Sequence, residues 1–95
     1  VKKSVACVQT ENANRYLQQL CKHWSHKFEV TFDAGKGTIP FRPDASLDLI
    51  ADGTTLTMTL TVGEDDDLTR MEGVVDDHLE RFAFREELAI DWKPA

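Results

Sequence analysis

From Leu56 to Val62 every second residue is apolar, with Thr55, Thr57, Thr59 and Thr61 standing between them. A period of two sends alternate side chains to opposite faces of a pleated strand, so this segment predicts a strand with one buried and one solvated face. Phe28, Val30 and Phe32 alternate in the same way with Glu29, Thr31 and Asp33, as do Leu88, Ile90 and Trp92 with Ala89, Asp91 and Lys93. Each predicts a half-buried strand. Shorter strands are expected over Val5 to Val8, around Ile39 and Phe41, and over Leu47, Leu49 and Ala51. Pro40 marks its strand as an edge or a bulge, because proline cannot donate to a ladder. Turns are expected at Asp33-Ala34-Gly35-Lys36-Gly37 and Arg42-Pro43-Asp44, with Asp52-Gly53 as a hairpin signal.

Two segments follow the helical period instead. Ala13, Leu17, Leu20, Cys21 and Trp24 make one stripe on a helix expected from Glu11 to Lys27, with Thr10 placed to cap it. After Gly63 the acidic run Glu64-Asp65-Asp66-Asp67 opens a second helix, with Leu68, Met71, Val75, Leu79 and Phe82 on one stripe. Carboxylates suit such a start because they offset the partial positive charge of unpaired backbone N–H groups. Phe84 would leave the stripe if the helix continued, so the helix is expected to end between Phe82 and Arg85. The order β-α-β-β-β-β-α-β predicts an α+β fold, a mostly antiparallel sheet with two helices packed on one face. No linker, repeat or low-complexity tract interrupts residues 1–95, which read as a single domain. The outer sheet face, rich in Thr, Asp and Glu, is either solvated or covered by a second copy of the chain as a homodimer.

Composition narrows the functions available. With 41% hydrophobic and 29% charged residues the chain is of the ordinary globular kind. No apolar run reaches the roughly 20 residues that cross a bilayer, and no apolar stretch of signal length follows Val1-Lys2-Lys3-Ser4, so a cytoplasmic location with no membrane partner is expected. Cys7 and Cys21 form no CxxC pair and read as small core residues. The net charge of −6 is unevenly divided: residues 1–42 carry +4 and the remainder −10. The overall acidity, and a Thr-rich sheet face without stacking aromatics, argue against nucleic acid. No GxGxxG, P-loop, GxSxG or HExxH motif is present. Nothing in the residues calls for a cofactor.

All three histidines, His23, His26 and His78, lie on the two helices. At about 100° per residue Cys21 and His23 stand about 200° apart and Cys21 and His26 about 140° apart, so this local cluster cannot close on one metal ion. A site drawn from both helices fits better. Tyr16, Gln19, His23 and Lys27 share one flank of the first helix; Val74, His78, Arg81 and Arg85 share one flank of the second. If those flanks face each other, His23 and His78 approach across a groove with Tyr16, Lys27, Arg81 and Arg85 around it, a setting for an anion or an anionic chelate. The plainer reading leaves His78 bonded to a neighbour, His23 and His26 solvated, and Arg81 paired with Asp77 four residues earlier.

The blocks Arg15-Tyr16-Leu17, Leu20-Cys21-Lys22-His23-Trp24 and His26-Lys27, followed by Gly73-Val74-Val75, His78-Leu79 and Arg81-Phe82-Ala83-Phe84-Arg85-Glu86, closely resemble a family of small bacterial proteins known as domain of unknown function 2218. The resemblance spans essentially the whole chain. It carries no established reaction and no catalytic residues. Similar domains occur attached to, or encoded beside, siderophore-interacting flavoproteins and iron-uptake genes, which implies an accessory role in iron or siderophore metabolism with such a flavoprotein as partner. The leading expectation is a non-catalytic module that binds an iron chelate or another anionic small molecule through Tyr16, His23, Lys27, His78, Arg81 and Arg85. The competing readings are a small enzyme using a histidine for acid–base chemistry and an interaction or dimerisation module.

Overall fold

The computed structural model describes residues 1–95. Its elements are β1 (Lys2–Gln9), α1 (Ala13–Trp24), β2 (Thr31–Asp33), β3 (Lys36–Arg42), β4 (Ala45–Ala51), β5 (Thr55–Val62), α2 (Leu68–Phe82) and β6 (Lys93–Pro94). The six strands form one antiparallel sheet in the order β2-β3-β4-β5-β1-β6, an α+β fold with the element order expected from the periodicity. Both helices pack on the face to which Ala6, Val8, Ile39, Leu47, Leu49, Leu56, Met58, Leu60 and Val62 point. Helix α1 contributes Ala13, Tyr16, Leu17, Leu20, Cys21 and Trp24, spaced by three and four along its length, and α2 contributes Val75 and Leu79. Neither helix is long and apolar enough to cross a membrane.

Local chemistry fixes several joints. Asp67 caps α2 by accepting from the Arg70 N–H at 3.1 Å, and Asp66 accepts from the Gly63 N–H at 3.2 Å and pairs with Arg42 at 2.7 Å. The acidic run therefore builds a helix start and ties it to β3. The Asp52 side chain accepts from the N–H groups of Thr54 and Thr55 and so closes the β4–β5 hairpin. The β2–β3 turn needs Gly35, whose φ is 86°, and α1 clasps it: the Asn14 side chain accepts from the Gly35 N–H, and Gln18 donates to the Asp33 carbonyl. A register shift between Pro40 and Arg42 places a bulge at the expected proline.

Five local expectations are corrected. The strand expected over Phe28 to Asp33 pairs only at Thr31–Asp33, because the Phe28 N–H is taken by the Trp24 carbonyl and the Val30 N–H by the Phe28 carbonyl. Helix α1 ends at Trp24 rather than Lys27, because the Trp24 carbonyl accepts from the N–H groups of both Lys27 and Phe28 in a closing turn. Its start shifts from Glu11 to Ala13, and Thr10 does not cap it directly; the Thr10 hydroxyl accepts from the Asn12 N–H one turn earlier. Cys7 is exposed while Cys21 is buried. In Val5-Ala6-Cys7-Val8 every position is apolar, so alternation alone does not choose a face, and the core takes Ser4, Ala6 and Val8. Finally, only Lys93–Pro94 of the expected terminal strand pairs, with Ser4 and Val5 of β1. Leu88, Ile90 and Trp92 still pack against the core in alternation, but from an irregular segment held to α2 by the Trp92 indole N–H, which donates to Asp76 at 2.8 Å. Burial pushes the Asp76 carboxyl above its ordinary range, and that indole bond partly opposes the shift.

Candidate functional site

A groove of about 520 Å³ opens where the C-terminal end of α1 meets α2 and the bulged end of β3. Trp24, Phe28, Phe41, Met71 and Val74 supply its apolar wall; His23, His26, Lys27, Arg42 and His78 supply its polar groups. The wall is a chain of edge-to-face rings, Trp24 on Phe41 at 5.1 Å and 87°, and Phe28 on Phe41 at 5.3 Å and 89°. Such pairs lie in the favourable geometry for aromatic quadrupoles. The turn that stops α1 is what delivers Phe28 to this stack, so the short helix and the groove share one cause.

His23 and His78 meet across the helix interface, their ring centres 5.0 Å apart and tilted by 52°. His78 is half-buried, 4.7 Å from the Trp24 ring, and its Nδ1 lies 2.7 Å from the Val74 carbonyl. A carbonyl oxygen only accepts, so Nδ1–H is the donor of this bond, and whenever the ring is neutral Nε2 is the nitrogen that keeps the lone pair. His23 is exposed and rests edge-on to Trp24 and Phe82, each 6.0 Å away. Desolvation by these neighbours lowers its pKa, reinforced by repulsion from His78, Arg81, His26 and Lys27.

Of the six residues expected to share one site, five fall into two separate places and the sixth into neither. His23, Lys27 and His78 line the groove. Tyr16 and Arg85 line a separate hollow of about 340 Å³ further along α1, with Asn12, Arg15, Gln19, Phe82, Phe84 and Glu86. Arg81 lines neither and makes no ion pair with Asp77, although its charge reaches His23. The division follows from the end of α2. Beyond Phe82 the chain turns toward the start of α1, carrying Arg85 with it and leaving Phe84 75% exposed under the Arg85 guanidinium. Arg42, His26, Phe28 and Phe41 are the groove residues that helical periodicity could not find, since a strand bulge and a closing turn bring them in. No cluster of three or more His, Cys, Asp and Glu is placed to hold a metal ion.

The second hollow is a latch. Glu86 accepts from the Tyr16 hydroxyl, from the Thr10 hydroxyl at 3.0 Å and from the Asn12 amide at 2.8 Å. The Tyr16 bond chiefly holds the Glu86 carboxyl below its ordinary pKa, helped by Asn12 and Thr10. Burial raises the pKa of Tyr16, and Glu86 raises it further. A carboxyl whose folded pKa is depressed stabilises the fold above its unfolded value, and that contribution is lost as pH falls through the folded value. Glu86→Gln is therefore expected to melt below the wild type at pH 7, with the gap shrinking once the pH drops under 4.5, the ordinary value. Melting curves from pH 7 to pH 3 check this; a gap that stays constant with pH would exclude the latch.

Residues 5–93 match the family model DUF2218, described as an uncharacterized protein conserved in bacteria. The NMR structure of PA4090 from Pseudomonas aeruginosa is similar over 100% of this chain and 98% of that one, with 43% sequence identity and a TM-score of 0.81. No curated protein matches.

Proposed function

The chain belongs to the DUF2218 family of uncharacterised bacterial proteins, and for this member we propose a non-catalytic binding role in which the groove takes an anionic small molecule with an aromatic body. One observation carries the reading: an aromatic wall is rimmed by Lys27, Arg42 and three histidines, no carboxylate is among the lining residues, and Lys27 has no acidic partner. The chain as a whole has a net charge of −6, so a concavity of this sign runs against the bulk of the molecule. Opposite charge at the rim draws in an anion, while the apolar wall accepts its planar part. Arg42 already binds Asp66 through one nitrogen at 2.7 Å, and a guanidinium retains further donors when one is engaged. Lys27 lies three residues past the end of α1, in the turn that closes on the Trp24 carbonyl.

An iron chelate of the catecholate kind has both required properties, a set of aromatic rings and a net negative charge. The accessory role in iron or siderophore metabolism, and a siderophore-interacting flavoprotein as partner, remain parts of this proposal. The test is a titration of the labelled protein with 2,3-dihydroxybenzoate, with its ferric complex, and with benzylamine as a cation of similar ring size. The anions are expected to shift the NMR signals of Trp24, Phe28, Phe41 and Lys27, and the double substitution Lys27→Ala with Arg42→Ala to weaken them by about tenfold, the equivalent of 1.4 kcal/mol. Silence at millimolar concentrations, or an equal response to benzylamine, would refute the proposal.

A further inference from the structure

We infer that His23 and His78 together form a two-imidazole docking point for a transition-metal ion whose remaining coordination positions are filled by an anionic chelator. This rests on the reading of the groove as an anion site and adds a coordinate bond to it. The first support is distance. With metal–nitrogen bonds of about 2.1 Å and the ring centre about 1.1 Å beyond, two imidazoles on one ion have centres about 4.5 Å apart at a right angle and about 5.2 Å apart at a tetrahedral angle. The observed 5.0 Å lies between them.

The second support is orientation. The His78 Nδ1–H is committed to the Val74 carbonyl at 2.7 Å, which fixes the ring and leaves Nε2 as the free donor. A metal-binding histidine is commonly held by such a bond on its other nitrogen. Imidazole suits zinc, copper, iron and nickel alike, so the pair selects a class of ion rather than one element.

Charge decides what form the metal takes. Two imidazoles bring no negative charge, no third His, Cys, Asp or Glu completes a cluster, and Lys27 and Arg42 border the same groove. A bare dication meets cationic neighbours there and gains only two ligands. An ion already wrapped in an anionic chelator, with two adjacent positions open, meets complementary charge, two nitrogen donors and an aromatic wall for its organic part.

The probes are Ni(II)–nitrilotriacetate, a singly negative complex with two adjacent open positions, and Ni(II)–EDTA, an anionic complex with none. Each is titrated by calorimetry and visible absorption into untagged protein. Ni(II)–nitrilotriacetate is expected to bind one per chain with the band shift of nitrogen coordination. His23→Gln and His78→Gln should each weaken it at least about tenfold, while His26→Gln stays within about threefold of the wild type. Because His23 is exposed, His23→Gln remains informative should His78→Gln fail to fold. Wild-type affinity in His23→Gln overturns the inference, and so does an absence of Ni(II)–nitrilotriacetate binding. Equal binding of Ni(II)–EDTA overturns it too, while leaving the anion groove standing. Failure of 2,3-dihydroxybenzoate to bind is read separately and bears on the groove alone.

Discussion

Trp24→Ala is expected to cost about 3–5 kcal/mol, the range for emptying a large aromatic from a packed core, and to lower the melting temperature by roughly 15–30 °C in a domain of this size. The expectation follows from position rather than residue type. Trp24 is only 5% exposed, touches Phe41, His23 and His78 by its ring, and carries the carbonyl that closes the turn after α1. It is at once the last core residue of the helix and the wall of the groove. The backbone carbonyl survives the substitution, so the turn persists while the ring stack collapses. Trp24→Phe keeps an aromatic surface and should lose less than half as much. Thermal unfolding followed by circular dichroism checks both, with the His78 ring signals as a second readout, since they lose the ring current of an indole 4.7 Å away. An alanine variant melting within about 5 °C of the wild type would show that the indole fills no essential volume.

The dual use of Trp24 explains how much could be read in the sequence. In β5 and α1 a strict period made both the element and its buried face legible, because burial of one face imposes that period. The approach of His23 to His78 was legible for the same reason: each sits beside a helix stripe, and two stripes packed on one sheet face bring their flanks together. Alternation proved a signal of burial rather than of pairing. Leu88, Ile90 and Trp92 alternate inward without joining the sheet, because the Trp92–Asp76 bond draws the segment onto α2. Val5 to Val8 pairs as a strand, yet its uniform apolarity concealed which way Cys7 points. The residues absent from the expected site, Arg42, Phe41 and Phe28, arrive through a bulge and a helix-ending turn, and neither feature has a period. Helical geometry alone puts Tyr16 and Arg85 with His23. The chain leaves that geometry after Phe82, and Glu86 then claims Tyr16 as its own partner.

Gly37 is where helix and sheet come closest, and its replacement is the second large effect. The residue lies on β3 opposite Leu49, and a Cβ built on it would stand 2.6 Å from the Cys21 sulfur, 3.3 Å from Phe32 Cβ and 3.5 Å from Leu17 Cδ2. The first distance is well inside van der Waals contact. Cys21 and Leu17 are both fully buried, so neither has empty space to retreat into; the same burial drives the Cys21 thiol pKa to about 11. Gly37→Ala should therefore cost about 2 kcal/mol by overpacking and lower the melting temperature by roughly 8–16 °C. If the sulfur is the atom in the way, removing it should relieve the strain. Gly37→Ala in a Cys21→Ala background is expected to lose less than half of what it loses in the wild type, a coupling that a double-mutant cycle measures directly. An equal loss in both backgrounds would place the conflict in the β3 backbone or at Phe32. An unchanged melting temperature in Gly37→Ala alone would show that α1 rides higher on the sheet than these distances require.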